Sequence, residues 1–514
     1  MKIKKAADYV PGIVLFLIFL VAGLLIYQDY GIAWDEPIMR GEGLLSYNYL
    51  VHGQQELFTT PTDNHGSGFE LLLIFLEKGL HLSDSRDIYL MRHLVSHVVF
   101  LISAFCLYVL VFRLFKNRFI ACLGFLMLVL SPRIYAHSFF NSKDVPFLSV
   151  LIIALMVCQM AFEKNRPLLF LAAGLAAGYA TSIRVMGIML FGIILLVLLM
   201  DIISALASNA KSKLPVLSLI FFSVGFCAAL YAGWPYLHKS PIHNLVESYV
   251  ALAHFNNWGG AVLFRGEIIP GAQIPISYFP VWYLITNPVL WLVAGLAGMI
   301  LTGIHFFKKP VNFLKNTTNR NFLLHLIFFS APICTVIFLH SIIYDDWRHL
   351  YFVYPSFILL ALYFVNWLMQ RKYKLVIQVI CVLQVVLTGV FMIRNHPFQQ
   401  VYFNELVSHK KEYLRRHFDF EYWGCAFKEG LEQLIATSKK DSIKIFWALP
   451  PLPNNIMMLQ KQDRGRIYLM DERAQSDYII TNFRGNNIVE YPGLEVEYSI
   501  SVLNSSIMCI YKLH

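Results

Sequence analysis

Long apolar runs, cut at intervals by short clusters of lysine and arginine, decide most of what this chain can become. Residues 10–27, 185–200, 322–342, 349–369 and 375–393 are such runs. A hydrocarbon core of about 30 Å takes roughly 20 apolar residues as a helix. Within it, backbone groups must be satisfied inside the helix or around a closed barrel. Alternating barrel strands are absent from the sequence, so the runs read as spanning helices. Only 14% of the 514 residues are charged and 57% are hydrophobic, against about a quarter charged in a soluble domain. The first run is long and no A-x-A site follows it, so it reads as a retained helix rather than a cleaved signal.

The net charge of +10 invites a nucleic-acid reading, but its distribution excludes one. The basic residues fall in MKIKK, RLFKNR, EKNR, KSK, FFKKP with KNTTNR, and RKYK, each between apolar runs. That is the pattern of cytoplasmic loops, not of a basic groove. The eight cysteines are scattered, six of them in apolar runs, with no CxxC pair or zinc spacing. They read as small core residues.

Placing every basic cluster in the cytoplasm gives about eleven helices over residues 1–393, with the N-terminus inside. Residues 28 to about 87 become an outer loop in which FELLLIFLEKGL lies flat on the membrane. The third helix starts at 119, the eighth covers 282–305, and a second outer loop precedes the eighth. Residues 394–514 differ: charge runs throughout, FKEGLEQLIATSKK reads as a helix, and SIKIFWAL, RIYLM, DYIITNF and EVEYSISVL read as strands. This predicts a small α/β domain outside the membrane.

The polar residues that the basic clusters leave over then collect on the outer face. They are Asp35 and Glu36; Arg92, His93 and His97; Arg133, His137, Asn141, Lys143 and Asp144; Arg184; His238; and Tyr344, Asp345, Asp346, Arg348 and His349. Each has a plain alternative. WDE makes a solvated turn with an interfacial tryptophan, HSFFNSKDVPF a turn rich in capping residues, and YDDWRHLYF an aromatic belt with paired charges. His93 and His97 are one helical turn apart, a spacing open to metal binding and equally to a helix end among headgroups. Together, however, they supply acids, bases and phosphate ligands in one layer. Arginine offers a planar fork to phosphate oxygens, and a carboxylate beside that phosphate suits a general base for an attacking hydroxyl. Glycosyl transfer from a lipid phosphate uses both.

WDEP, NSKDVPF and YDDWRHLYFVYP, in that order on one face, resemble the GT-C membrane glycosyltransferases. The likeness is to glycosyltransferase family 39, with the protein O-mannosyltransferases and the lipid A aminoarabinose transferase. HPFQQVYFNEL and FEYWGCAFKEGLE resemble bacterial members that end in a periplasmic domain, so the resemblance spans about 30 to 430. It implies an inner-membrane enzyme that inverts a hexosyl or pentosyl centre. The donor would be a sugar on a polyprenyl phosphate, the acceptor a lipid, glycan or protein outside the cytoplasm. It implies Asp35 as catalytic base with Glu36 beside it, and Asp144 as the second acid. Arg92, Arg184, Arg348 and His349 would stand near the donor phosphate, with His93, Arg133, His137, Asn141, Lys143, Tyr344, Asp345 and Asp346 completing the binding layer. A divalent metal stays open, with Glu36 and Asp144 as candidate ligands. The rival is a transporter or flippase of a lipid-linked sugar. Transporters place polar groups near the midplane on broken helices, whereas here the midplane is apolar.

Overall fold

The computed structural model describes residues 7–60, 66–207, 214–253, 259–310, 313, 317–447, 451–484 and 491–513; the clusters MKIKK and KSK lie outside these. The described chain begins with α1 (Val10–Ile26), α2 (Glu36–His52), α3 (Gly68–Gly79), α4 (Ser85–Phe115), α5 (Arg118–Val129) and α6 (Pro132–Phe140). It continues with α7 (Asp144–Lys164), α8 (Pro167–Ile183), α9 (Ile188–Ala207), α10 (Leu214–Gly233) and α11 (Pro241–Ala253). After the hairpin β1 (Ala261–Phe264) and β2 (Glu267–Pro270) come α12 (Tyr278–Ile285), α13 (Val289–Lys308), α14 (Thr317–Phe338), α15 (Tyr354–Met369) and α16 (Lys374–Arg394).

The protein is a polytopic α-helical membrane protein. Among the described residues eight helices are long and apolar enough to cross a bilayer, nine if α5 and α6 form one bent span. The expected eleven differ from this by α1 and α8, apolar but only 17 residues each. The outer helices turn bare aliphatic side chains outward: Leu375, Val379 and Ile393 of α16 are exposed. In water such a face would cost about 25 cal/mol for each Å².

Two breaks depart from the expected spans. The third helix bends by 61° between α5 and α6. Pro132 opens α6 and Ser131 before it is extended, as a residue preceding proline prefers. The eighth is split at Thr286–Pro288, where Pro288 has no N–H to give. The carbonyls freed there accept from the Asn404 side chain (Leu284 and Asn287, 2.6 Å each) and the Asn404 backbone N–H (Ile285, 2.8 Å). The first outer loop also holds α2, which the sequence reading left as loop, and the second holds α11 and the hairpin.

The helices have two unlike ends. At one, Arg118 pairs with Asp8 at 2.7 Å, Arg113 with Glu163, Asn321 with Gln159 at 2.9 Å, and His305 with Tyr363 at 2.8 Å. RLFKNR and EKNR lie there, and FFKKP and RKYK adjoin it. At the other end stand Asp35, Asp144, Arg184 and Arg348.

The tail sits on this second end. It holds α17 (Tyr413–His417), α18 (Phe427–Thr437), β3 (Ile443–Trp447), α19 (Pro451–Ile456), α20 (Lys461–Arg464), β4 (Ile467–Met470), β5 (Tyr478–Thr481), β6 (Glu495–Val502) and β7 (Ser505–Lys512). The sheet order is β4-β3-β5-β7-β6, with β3 parallel to both neighbours and β7 antiparallel to both of its own. The four expected strands and the helix are present, and β7 is added. Leu503 and Asn504 have φ of 51° and 59°, the left-handed pair that closes a tight hairpin between β6 and β7.

Candidate active site

The adjacent acids of WDE part company at the start of α2. Glu36 turns back on the chain: its Oε2 accepts the Ala33 N–H at 2.9 Å, and His93 Nε2 lies 3.2 Å from Oε1. Asp35 makes no capping bond. Its carboxylate is 35% exposed and lies 3.4 Å from Arg348. Two like charges in one turn are separated by giving one of them to the backbone.

Arg348 is the hub. Its Nη2 lies 3.2 Å from Asp345 Oδ2, its Nη1 lies 3.4 Å from Asp144 Oδ2, and its guanidinium rests on the rings of Trp423 at 4.7 Å and Tyr344 at 5.0 Å. Asp144 opens α7, pairs also with Arg184, and accepts from Asn141 Nδ2 at 2.9 Å. Arg184 is delivered by the end of α8, which packs backbone to backbone on α10. A Cβ at Gly174 or Gly178 would stand 2.1 or 2.2 Å from the carbonyls of Phe222 and Phe226. Only glycine permits that approach.

These groups line one cleft of about 1310 Å³, counting its open mouth. Asp35, Glu36, Asn141, Lys143, Arg184, Tyr344, Arg348 and His349 form the polar wall; Val336, Leu339, Ile342, Ile343, Phe352 and Met186 form an apolar one. Buried nitrogens Arg184 Nε, Arg348 Nε and His349 Nδ1 have no hydrogen-bond partner among the described residues. Lys143 Nζ lies 3.4 Å from Glu42. Burial holds the Asp35 carboxyl above the usual carboxylate range, with Arg348 pulling it down and Asp345 pushing it further up.

The remaining expected residues stand behind this wall. Arg92 is buried against Glu70 at 2.5 Å, and Glu70 in turn accepts from Ser142, so Arg92 supports the 141–144 turn from below. His93 supports Glu36. Arg133 donates to Asp346 at 2.9 Å and to the Tyr402 carbonyl at 3.1 Å, between the rings of Trp282 and Phe403. Asp346 also accepts from Tyr422 at 2.7 Å and Tyr351 at 3.2 Å. His137 accepts the indole N–H of Trp423 at 3.0 Å. His97 stacks on Phe139 and bonds Ser138, and the half-buried His238 bonds the Tyr231 carbonyl. Asp345 and Asp346 have φ of 55° and 65°, a left-handed pair of non-glycine residues that costs on the order of 1–3 kcal/mol each.

The residues do not fit a divalent metal. The Asp144 carboxylate is shared between two guanidiniums, and that of Glu36 is held by His93 and a backbone N–H. Among the described residues no three His, Cys, Asp or Glu side chains gather as a cage. The cations around Asp144 are the surroundings an anion meets.

Sequence reasoning missed Trp423, Arg484 and Glu70, and also Tyr249 of α11, which lines the cleft. FEYWGCAF was noted only for its resemblance, and nothing near Arg484 marks it.

Three comparisons bear on the chain. Residues 85–231 match the family described as dolichyl-phosphate-mannose-protein mannosyltransferase. A search of curated proteins found no match. Among solved structures, ArnT from Cupriavidus metallidurans bound to undecaprenyl phosphate is similar at a TM-score of 0.45 and 12% identity, covering 97% of each chain. Its apo state gives the same figures. The apo Archaeoglobus fulgidus oligosaccharyltransferase gives 0.46 and 10%, covering 91% of this chain and 69% of its own.

Proposed function

We propose that the protein is an inverting glycosyltransferase of the GT-C type, moving a sugar from a polyprenyl phosphate to an acceptor outside the cytoplasm. One observation carries the reading: a carboxylate left free by its neighbour faces a cleft beside Arg348, where a charged wall meets an apolar one. A phosphate esterified to a long lipid presents that same pair of surfaces. The match of residues 85–231 to a mannosyltransferase family supports it.

In the proposed reaction the acceptor hydroxyl attacks the sugar C1 from the face opposite the phosphate. Asp35 takes the hydroxyl proton as the new C1–O bond forms. The C1–O bond to phosphate breaks, and its electron pair leaves on the phosphate. Arg348 and Arg184 stabilise that growing charge, with Lys143 at the same wall and His349 beside them as a hydrogen-bonding group; fixed cations in a water-poor site are commonly the largest electrostatic contribution. Asp144 holds both guanidiniums in place, and Glu36 anchors the turn that presents Asp35. The described basic clusters lie at the far end of the helices, which by the positive-inside rule supports a cleft and a tail outside the cytoplasm.

The test is transfer of labelled sugar from polyprenyl-phosphate donors by purified, reconstituted protein. Asp35→Asn is expected to lower turnover at least about a hundredfold while polyprenyl phosphate still binds. Equal turnover in both proteins removes Asp35 from its role, and lipid flipping without transfer favours a flippase.

A further inference from the structure

Arg484 lies in the loop after β5, outside the cleft, and touches three segments that form it. Its Nη2 donates to Asp345 Oδ1 at 2.8 Å, its Nη1 donates to the Tyr422 carbonyl, and its guanidinium rests on the Trp34 ring at 4.7 Å. Trp34 precedes Asp35, Asp345 lies three residues before Arg348, and Tyr422 precedes Trp423, on whose ring Arg348 rests. A fourth contact closes the set, since the Trp34 N–H donates to the Trp423 carbonyl at 3.0 Å.

The division of Asp345 is what matters. One carboxylate oxygen takes Arg484 and the other takes Arg348. The residue sits in the left-handed region at φ 55°, which a non-glycine residue keeps only where its surroundings hold it. Without Arg484, the whole Asp345 charge is free to draw Arg348 away from Asp35, and the loop loses one of the grips on its backbone.

We propose that Arg484 is a positioning residue: by gripping Asp345 and covering Trp34 it holds Arg348 against Asp35, so that the tail completes the reactive end of the cleft. This rests on the transferase reading. Charge-assisted bonds of this kind are directional as well as strong, and small displacements of a reacting group are costly in rate.

The experiment uses the full chain in lipid, with a labelled polyprenyl-phosphate sugar, four single variants (Arg484→Met, Arg484→Lys, Asp345→Asn and Arg464→Met) and the Asp345→Asn/Arg484→Met double variant. Arg464 also ties the tail down, through Asp84 at 2.7 Å, and among the described residues its bonds go to Asp84 and the Leu459 carbonyl, away from the cleft. Arg484→Met is expected to lower kcat about tenfold or more and to raise the acid limb of the kcat/KM profile, because Asp35 loses its cation. Arg484→Lys recovers part of the rate. Asp345→Asn also slows transfer, and adding Arg484→Met to it costs little more, as for residues acting through one contact. Arg464→Met leaves rate and profile unchanged. The proposal is overturned by a wild-type rate and an unmoved limb in Arg484→Met, by additive losses in the double variant, or by an equal loss in Arg464→Met. A wild-type protein that transfers nothing and binds no polyprenyl phosphate fails differently: it removes the transferase reading itself, and this proposal with it.

Discussion

At the scale of single residues, the proposed chemistry turns on the separate fates of Asp35 and Glu36. A half-buried carboxyl with a raised pKa is a better proton acceptor than a fully solvated one. In the proposed role of base Asp35 must be ionised, so transfer is expected to fall as pH drops through its raised pKa. The acid limb of kcat/KM should therefore lie above the ordinary aspartate value of about 3.9, and a limb at or below that value would contradict the assignment. Asp35 was legible because a carboxylate pair at the mouth of a span needs a reason. The split was not, because it depends on His93 from a different helix. The same holds for Arg92 and Arg133. Their outer placement suggested phosphate contacts, yet Glu70 and Asp346 engage them, and both partners are distant in sequence.

At the scale of elements, the position of Arg184 follows from two helices that touch through glycine. Gly178→Leu is expected to force α8 from α10, lower the thermal midpoint of the detergent-solubilised protein and cost several kcal/mol, as overpacking at backbone contact does. An unchanged midpoint would mean the contact is looser than its geometry. Asp419 gives a second test within the tail. It is buried, and its carboxylate accepts the Leu263 N–H at 3.0 Å. Burial pushes its carboxyl up to about 7, against the pull of Arg484. Between its unfolded value of about 3.9 and this folded value, the native state holds a proton that the unfolded chain has lost. Stability from this group is thus full below about pH 4 and declines as pH rises towards 7. The midpoint should be lower at pH 8 than at pH 5, and Asp419→Asn should flatten that difference; a midpoint difference identical in the two proteins would count against it. Most helices were legible from hydrophobic length alone. The breaks at Ser131 and Thr286–Pro288 were written in proline, but a length-based reading ran across them. β7 was hidden because SSIMCIY follows β6 after only two turn residues.

At the scale of the whole molecule, the two unlike ends make a directional claim. Cysteines introduced at the exposed Lys372 and Lys410 should react differently with a membrane-impermeant maleimide in cells stripped of their outer envelope. Lys410→Cys labels at once and Lys372→Cys only after lysis; the reverse order would turn the cleft towards the cytosol. The sequence reading kept residues 394–514 as a separate domain, and composition gave no hint of how closely it is joined to the helices. Tyr422 reaches Asp346, Trp423 lines the cleft, and the Asn455 side chain accepts the Ile32 N–H at 3.0 Å. Such contacts join residues hundreds of positions apart, where periodicity carries no signal. This arrangement bears on how the protein is made. The ribosome delivers Asp35 well before Trp423 and Arg484, so a nascent chain already threaded into the bilayer has its proposed proton acceptor but no ceiling over it. On the proposed function, a product released before Trp423 would occupy the membrane without spending lipid-linked sugar.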